Sequence, residues 1–483
     1  MKMRNVSHRI GGESVESSTP EWFETTNPDS GDVLAKVARG TPNEIAAAVS
    51  AAAATAPEVA ASGPSRRESW LLRAAELLER DADSFRQLLI EEIGSPIGKA
   101  NMEIGIATRL LRAHAGLPRR MSGRSYQSDV PGRWSLGVRS PLGVVAGITP
   151  FNVPLIKGVK AGSIALATGN TFVWLPSDET SLIADRLANL FHEAGVPPGA
   201  FNVVHGHGHE IGDALVSHPD VAAVAFTGSQ TVGRHVQGLC GSHGKRVTLE
   251  LGGSNPLILL ADADLPSAIQ AAIKGGFIYQ GQICMSSSRV IVEDSVHDAF
   301  VESFAAAAPR LGMGELTDPT TMIGPVIHER ARQRIRSCLE AALDGGAKAL
   351  CGNTWQGNRL APTVLVDVTP EMEIVREEVF GPIVCVQRAQ NAEDAIQLAN
   401  QVPAMLTAAV FTQDLTAAMR FSEHLRCAMI HINDMTIQQE PEVPFGGDSE
   451  AGFGREGMET AIEDFTKWKW ITVRDAPEGV ERR

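Results

Sequence analysis

Short apolar runs alternate with longer segments of helical periodicity through the middle of the chain. The apolar runs predict buried strands at 142–148, 171–175, 201–204 and 221–226, and the segments after them predict helices at 154–167, 180–194, 210–217 and 231–241. Strands that alternate with helices form a parallel sheet that is covered on both faces. The region therefore predicts a doubly wound α/β sheet with a ligand site at the carboxyl ends of its strands.

The flanking regions have different patterns. Short alternating runs before residue 40 predict edge strands or hairpins, and helices are expected from 42 onward and over 65–93 and 104–117. The segment 119–139 is polar and broken by Gly and Pro, and it predicts a hairpin arm. The aromatic alternation at 465–473 could join this arm as a strand. We predict that residues 1–118 and 140–248 form a first domain and that residues 249–443 form a second α/β domain. Residues 119–139 and 444–483 are expected to form an arm with the C-terminal strand.

Composition narrows the class of protein. The 483 residues carry a formal net charge of −14 and no long basic run, which argues against binding to nucleic acid or to an anionic membrane. The first ten residues lack the apolar core of a signal peptide, and no apolar stretch approaches the length of a membrane span. Six scattered cysteines without a CxxC pair indicate reduced thiols, so we expect a cytoplasmic protein.

One cysteine stands in an unusual place. Cys284 lies in a polar, glycine-containing loop between an apolar helical run at 268–277 and a strand-like run at 289–293. A structural cysteine would normally lie inside one of those runs, where it packs as a small apolar side chain. A loop between them can present a side chain to a cleft, so we predict that Cys284 is a nucleophilic thiol.

Two further polar residues follow or interrupt predicted strands. Asn152 comes where a strand ends and a helix begins, so it is either a hydrogen-bond donor in a cleft or a helix cap. Glu250 interrupts an apolar strand before two glycines, and it is either one partner of a buried ion pair or a general base. Glu378 and Phe380 lie in a polar turn that could hold a ribose and a flat ring, although a surface turn has the same pattern.

Two loops have patterns associated with ligands. Gly228 allows close backbone approach and Ser229 opens a helix, which together make a seat for a phosphate group. The segment 206–212 resembles a dinucleotide fingerprint but has one residue too many between its last two glycines. Histidines alternate with glycines at 205, 207 and 209, and without neighbouring Cys or Asp ligands we predict a solvated loop and no metal.

Taken in order, the motifs resemble those of the aldehyde dehydrogenase superfamily along essentially the whole chain. They are Pro150-Phe-Asn152, Phe226-Thr-Gly-Ser229, Leu249-Glu-Leu-Gly-Gly253, Gly281-Gln-Ile-Cys284, Glu378-Val-Phe-Gly-Pro382 and Pro444-Phe-Gly-Gly447. The resemblance implies an aldehyde dehydrogenase-like fold, with an NAD-binding domain, a catalytic domain and a small oligomerisation sheet in the three pieces described above. It also implies a homodimer or homotetramer that oxidises a small-molecule aldehyde to the carboxylic acid with NAD(P).

The resemblance assigns roles to residues. Cys284 is expected to add to the aldehyde and to carry a thioester, Asn152 to bind the oxyanion with the Cys284 amide, and Glu250 to activate the hydrolytic water. Cofactor contacts are expected at Ile148, Thr149, Pro150, Ser177, Asp178, Gly208, Gly212, Phe226, Gly228, Ser229, Val232, Leu251, Gly252, Glu378 and Phe380. Substrate contacts are expected at Lys160, Val153, Ile283 and Phe445.

The chain departs from the family pattern at one cofactor position. The family usually has a lysine where this chain has Leu175, which cannot pair with a 2′-phosphate. Asp178 could accept hydrogen bonds from ribose hydroxyls and would repel that phosphate. We therefore predict NAD rather than NADP as the cofactor.

Within the family, shorter matches near Cys284 and in 431–473 look most like benzaldehyde, salicylaldehyde and vanillin dehydrogenases. Lys157 and Lys160 lie one and two turns into the helix after Asn152, where one of them could line the substrate tunnel and attract a phenolate or carboxylate, or both could lie on a solvated face. The alternatives are an aliphatic semialdehyde dehydrogenase, a CoA-acylating enzyme that would not need Glu250, and a non-catalytic binding protein on this fold.

Overall fold

The structure is a computed structural model that describes residues 4–474. The first part of the chain supplies short strands and a layer of helices. These elements are β1 (Arg4–Val6), β2 (His8–Ile10), β3 (Glu13–Val15), β4 (Trp22–Thr26), β5 (Val33–Ala38), α1 (Pro42–Ala61), α2 (Pro64–Arg80), α3 (Ala82–Ile93), α4 (Ile97–His114), α5 (Leu117–Arg120), β6 (Arg124–Tyr126) and β7 (Arg133–Pro141). Strands β1, β5 and β4 form a small sheet, whereas β2 and β3 extend the large sheet that follows.

The predicted doubly wound sheet is present. Its elements are β8 (Val144–Ile148), α6 (Pro154–Ala167), β9 (Thr171–Leu175), α7 (Ser181–Glu193), β10 (Phe201–Val203), α8 (Gly208–Ser217), β11 (Val221–Gly228), α9 (Gln230–Ser242) and β12 (Arg246–Leu251). The parallel strands have the order β12-β11-β8-β9-β10. The parallel part of the sheet therefore begins at the central strand β8 and continues to one side through β9 and β10. It then crosses to the other side of β8 for β11 and β12. Such a reversal leaves a crevice at the carboxyl ends of β8 and β11.

A second sheet of seven strands follows. Its elements are β13 (Pro256–Leu259), α10 (Leu265–Phe277), β14 (Arg289–Glu293), α11 (Asp294–Ala307), α12 (Glu329–Asp344), β15 (Lys348–Cys351), β16 (Trp355–Gln356), β17 (Arg359–Leu360), β18 (Thr363–Val366), α13 (Glu373–Arg376), β19 (Ile383–Ala389), α14 (Ala392–Asn400), β20 (Thr407–Phe411), α15 (Leu415–His424) and β21 (Met429–Ile432). The strand order is β15-β18-β19-β14-β13-β20-β21, and β16 and β17 form a separate two-stranded sheet. Because β12 leads into β13 through 252–255, the carboxyl edge of the first sheet faces the amino edge of the second.

The C-terminal part returns to both earlier units. Its elements are β22 (Gly452–Phe453), α16 (Met458–Phe465) and β23 (Thr466–Arg474). Strand β22 pairs with β12 beside Glu250, and β23 pairs antiparallel with β7 along nine residues, from Thr466 opposite Pro141 to Arg474 opposite Arg133. The predicted pairing of the C-terminal strand with the arm is confirmed over the described residues, and residues 475–483 of the predicted arm lie outside them.

Some predicted boundaries were wrong. The segment 65–93 contains two helices, because Asp81 has non-helical dihedral angles (φ −99°, ψ 14°) and ends α2 before α3 begins. The helix expected at 104–117 begins earlier, at Ile97, directly after Pro96, whose ψ angle of 146° is not helical. It also ends earlier, at His114, before the separate short helix α5. The strand expected at 142–148 begins at Val144, since Leu142 and Gly143 use their amides to bind the side chain of Asn170.

Among the described residues 4–474, no single helix is long and apolar enough to cross a membrane. One bent pair, α1 with α2, satisfies the length and composition criteria when its members are taken together, with a bend of 116° between them.

Candidate active site

A cavity of about 670 Å³ lies between the two facing sheet edges. Loops from both sheets and from the segment 373–380 line it. The lining residues are Pro150, Phe151, Asn152, Val153, Lys157, Thr227, Gly228, Ser229, Gln230, Thr231, Arg234, Glu250, Leu251, Gly252, Cys284, Arg334, Glu373, Glu377, Glu378 and Phe380. The structure thus brings Cys284, Asn152 and Glu250 to the walls of one cavity.

Asn152 lies in the loop between β8 and α6, with 3% of its surface exposed. It does not cap α6, because the N-cap position is Val153. Its Nδ2 donates a hydrogen bond to the backbone carbonyl of Gln282 at 3.0 Å. A side-chain amide carries two N–H donors, so one remains for a group bound in the cavity. The donor interpretation of Asn152 fits this geometry, and the cap interpretation was wrong.

Cys284 lies in the loop between α10 and β14, as predicted. The loop turns sharply, because Tyr279 and Gln280 have positive φ angles of 51° and 45°. Asn255 holds the loop by donating from Nδ2 to the carbonyl of Cys284 at 2.8 Å. Burial raises the pKa of the Cys284 thiol to about 12, while the ammonium group of Lys157 acts in the opposite direction. The resting thiol is therefore protonated near neutral pH and needs a proton acceptor to become a nucleophile.

Glu250 lies near the end of β12 and is 3% exposed. Within the described residues, neither of its carboxylate oxygens has a hydrogen-bond partner. Burial raises its pKa to about 8, and the neighbouring carboxylate of Glu456 acts in the same direction. A carboxyl group with these properties can accept a proton near neutral pH, as a general base must.

Two buried lysines and one glutamate lie beside these groups, and we call Lys157, Lys160 and Glu456 the lysine–glutamate cluster. The Nζ atoms of Lys157 and Lys160 lie 2.8 and 2.9 Å from Oε2 of Glu456. Burial disfavours ionisation of Glu456, but the two ammonium groups outweigh it and lower the pKa of Glu456 well below its usual range. The lysines are 5% and 2% exposed, so the alternative of a solvated helix face was wrong.

The other end of the cavity has features that suit a phosphate and a ribose. Ser229 is the N-cap of α9, and its Oγ accepts a hydrogen bond from the amide of Val232 at 3.5 Å. Helix N-termini carry unpaired amides that bind anions. The carboxylate of Glu378 packs against the backbone of Gly252, where an added Cβ would lie 2.2 Å from both of its oxygens. Burial raises the pKa of Glu378 to about 8.

Several predicted cofactor residues lie outside the cavity wall. Thr149 accepts a hydrogen bond from the indole of Trp174 at 2.9 Å, and Asp178 pairs with His207 at 2.5 Å. Gly208 and Gly212 lie on α8, where an added Cβ would meet no atom within 4 Å. The others are Ile148 at the end of β8, Ser177 before α7, Phe226 in β11 and Val232 in the first turn of α9.

Three predicted substrate residues lie behind the wall. Ile283 and Phe445 are each 3% exposed. The Nζ of Lys160 lies 4.2 Å from the centre of the Phe445 ring. Lys160 therefore packs behind Phe445, whereas Lys157 itself lines the cavity. Val153, the fourth predicted substrate residue, also lines it.

The sequence interpretation missed Glu456, although the glycine-rich segment 452–457 contains it. An acidic residue next to glycines in a C-terminal segment was the available signal, but its partners lie almost 300 residues earlier in the chain. The prediction of a solvated loop was wrong for His205, which is buried, whereas His207 and His209 are partly or fully exposed and their rings stack with centroids 5.6 Å apart. His205 is fully buried and stacks near His8, and no group of three or more metal-ligating side chains occurs among residues 4–474.

A model of the aldehyde dehydrogenase family matches residues 14–471. The chain belongs to this family. It is 39% identical to a vanillin dehydrogenase of Corynebacterium glutamicum over 97% of this chain and 98% of that protein. It is 37% identical to a benzaldehyde dehydrogenase of Bacillus subtilis over 96% of each.

Two solved structures of other proteins are similar to this chain. An NADP-dependent enzyme of E. coli superposes with a TM-score of 0.95 at 34% identity, and the match covers 98% of each chain. A salicylaldehyde dehydrogenase of Pseudomonas putida G7, solved with salicylaldehyde, gives a TM-score of 0.95 at 31% identity over 99% of this chain and 100% of that one. The aldehyde dehydrogenase fold predicted from the motifs is thereby confirmed.

As an aldehyde dehydrogenase, the protein is an aldehyde-oxidising oxidoreductase with a nicotinamide cofactor. The cavity fits such a cofactor on two observations. The absence of a side chain at Gly252 leaves the space that Glu378 occupies, so a carboxylate is held at the wall. The N-terminus of α9 opens into the same cavity through Ser229 and can receive a phosphate.

Proposed function

We propose that this enzyme oxidises an aromatic aldehyde to the carboxylic acid, with Cys284 as nucleophile, Asn152 as an oxyanion donor and Glu250 as general base. One observation carries the assignment. A thiol, a side-chain amide with a spare N–H and a buried carboxyl without a hydrogen-bond partner share one cavity. The relatives named for vanillin, benzaldehyde and salicylaldehyde support the aromatic class.

In the proposed mechanism, deprotonated Glu250 accepts the thiol proton of Cys284 and releases it to solvent. The Cys284 thiolate then adds to the aldehyde carbon, and the carbonyl oxygen becomes an oxyanion. The Asn152 amide and the backbone N–H of Cys284 stabilise that charge, because preorganised donors favour the transition state over the ground state. The nicotinamide cofactor, when bound, accepts the hydride that this oxidation releases. Cys284 then carries the acyl group as a thioester. Glu250 removes a proton from water, which attacks the thioester and releases the acid and the thiol.

The direct test measures formation of reduced nicotinamide with benzaldehyde, an aliphatic semialdehyde and each cofactor. We expect activity with benzaldehyde, and we expect Cys284→Ser to abolish it. Higher kcat/KM for the semialdehyde would reject the aromatic class, and product formed only in the presence of CoA would reject hydrolysis by Glu250. A wild-type rate in Cys284→Ser, or in enzyme alkylated at that thiol, would reject the mechanism.

We propose NAD as the preferred cofactor. Leu175 offers no cation to a 2′-phosphate. Burial disfavours the charge of Asp178, but hydrogen bonds with Glu179 and with His207 outweigh it and lower the pKa of Asp178 below its usual range. A carboxylate at this position would repel a 2′-phosphate and accept bonds from hydroxyls. Because a similar structure is described as NADP-dependent, the comparison of kcat/KM for the two cofactors decides the question. A higher kcat/KM with NADP than with NAD would overturn the proposal. Asp178→Ser should reduce the ratio of kcat/KM for NAD to kcat/KM for NADP.

We also propose that the arm sheet, formed by β6, β7 and β23, joins copies of the chain into a homodimer or homotetramer. Its apolar residues are unusually exposed, with Trp134 at 64%, Trp470 at 73% and Val473 at 52%. Exposed apolar patches of this kind mark protein interfaces. Light scattering after size exclusion should give a dimer or tetramer, which Trp470→Ser weakens. Leu415→Ser, at a 74% exposed site on α15, is the matched control, and a monomeric wild-type protein would refute the proposal.

A further inference from the structure

A buried ion pair lies on α4, away from the cavity wall. The Nζ of Lys99 lies 2.5 Å from Oε2 of Glu103, and the two side chains are only 2% and 0% exposed. Desolvation of two charges offsets much of their attraction, so a buried ion pair contributes little to stability by itself. Both partners also contact the segments that carry Asn152 and Cys284.

Glu103 holds the beginning of α6. Its Oε1 accepts hydrogen bonds from the backbone amides of Leu155 at 2.9 Å and Ile156 at 3.3 Å. The first amides of a helix have no partner within the helix, and the N-cap residue Val153 supplies no side-chain acceptor. A carboxylate from another helix thus fixes the helix start directly after Asn152.

Lys99 contacts both sides of the reaction centre. Its Nζ donates a hydrogen bond to the backbone carbonyl of Asn152 at 2.7 Å and lies 4.2 Å from the centre of the Tyr279 ring. Tyr279 is the first residue of the sharp turn that leads to Cys284, and its hydroxyl donates to the carbonyl of Ile93 at 2.8 Å. The two proposed oxyanion donors come from different sheets, and one ammonium group contacts the segments that carry both.

We propose that Lys99 and Glu103 are positioning residues for the oxyanion site, which fix the Asn152 loop against the loop of Cys284. The proposal rests on the proposed roles of Asn152 and Cys284. Misplacement by about 1 Å can cost two orders of magnitude in rate, because catalytic donors must lie at the developing charge and not merely near it. Neither residue touches the cavity, so each acts only through the residues that it holds.

A double-mutant cycle tests the coupling. We expect Asn152→Ala to lower kcat roughly 100- to 1,000-fold and Lys99→Met to lower it about 10- to 100-fold, with the KM for cofactor little changed. In an Asn152→Ala background, Lys99→Met should lower kcat by less than about a further 3-fold. The reason is that the Asn152 amide, which Lys99 positions, is then already absent. If Lys99→Met does not fold, Glu103→Gln, which keeps the side-chain shape, runs the same cycle.

Glu92→Gln is a matched control in the same domain. Glu92 is also fully buried, and its oxygens accept from the amides of Leu182 at 2.7 Å and Ile183 at 2.9 Å at the start of α7. It anchors a helix start in the same way, and its described hydrogen bonds go to Thr25, Leu182 and Ile183 rather than to Asn152 or Tyr279. We expect Glu92→Gln to lower the melting temperature as Glu103→Gln does, while its kcat at saturating cofactor stays within about twofold.

Each outcome has one meaning. Loss of kcat that disappears in the Asn152→Ala background supports positioning. Equal losses in both backgrounds, or an equal loss of kcat in Glu92→Gln, would show a merely structural role and overturn the inference. If Asn152→Ala alone leaves kcat unchanged, the proposed oxyanion role of Asn152 fails first, and the inference fails with it.

Discussion

Replacement of Gly252 by alanine gives a sharp test of the cofactor assignment. The added Cβ would lie 2.2 Å from both carboxylate oxygens of Glu378 and 2.4 Å from its Cδ. Contacts between such atoms are comfortable only near 3.5 Å, so the carboxylate must move by more than about 1 Å. The obstructing atoms are the end of a flexible side chain, and Gly252 has no positive φ angle, so the backbone can stay in place.

The size of the effect follows from the role proposed for Glu378. Burial raises the pKa of Glu378 to about 8, so its carboxylate is charged above that pH, where a hydrogen bond to a charged group contributes about 1.5–3 kcal/mol. If the displaced carboxylate no longer binds the nicotinamide ribose, the KM for cofactor should rise roughly 10- to 150-fold, since each 1.4 kcal/mol corresponds to about tenfold. We expect the melting temperature to change little, because the substitution moves one side chain and opens no cavity.

Steady-state kinetics at saturating aldehyde, run above the pKa of about 8 at which Glu378 ionises, measure the effect. Gly238→Ala is the matched control, since its Cβ on α9 would meet no atom within 4 Å. Glu378→Gln should raise the KM for cofactor by a similar factor, and adding Gly252→Ala to it should cost little more. An unchanged KM for cofactor in Gly252→Ala, with the protein folded, would refute the assignment of Glu378 as a cofactor ligand.

Three further predictions concern protonation and packing. Because burial raises the pKa of Glu250 to about 8 and only its deprotonated form can act as base, hydrolysis of the acyl-enzyme in single turnovers should accelerate as pH rises through that value. Glu250→Gln should be slow at every pH, and a wild-type rate that falls with rising pH would contradict this role. Since Lys157 lowers the pKa of Cys284 against the effect of burial, Lys157→Met should shift alkylation of that thiol by iodoacetamide to higher pH; an unshifted profile would contradict this. Gly147→Ala would place a Cβ 2.2 Å from the Phe172 ring, so denaturant titration should show a loss of about 1–3 kcal/mol, and unchanged stability would refute the packing.

The strands and helices of the first domain could be predicted because each buries a continuous apolar surface. Helix 154–167 and strand 171–175 have the predicted bounds, since a buried helix between two buried strands has sharp changes of pattern at both ends. The break at Asp81 was missed because apolar periodicity runs through it from α2 into α3. Periodicity reports which face is buried, but it does not report a change of helix direction.

The site was predictable to a different degree. Cys284 and Glu250 could be singled out as candidates because each is out of place in its local pattern, and the structure places both at one cavity. The sequence left open whether Lys157 and Lys160 line the substrate tunnel or lie on a solvated helix face. The residues around them do not show that Glu456 lies opposite. Charged residues in a buried helix need a distant partner, and the distance along the chain hides that partner from any local pattern.

The lysine–glutamate cluster also bears on how one cavity serves two chemical steps. Two ammonium groups and one carboxylate leave one positive charge buried beside Cys284 and Glu250. With raised pKa values, the thiol and the Glu250 carboxyl are both mainly neutral near pH 7, so this charge favours formation of one anion at a time. During attack on the aldehyde, that one anion is the Cys284 thiolate or the oxyanion formed from the aldehyde. Once Cys284 carries a neutral thioester, the same positive charge favours ionisation of Glu250, which is the form that must accept a proton from water.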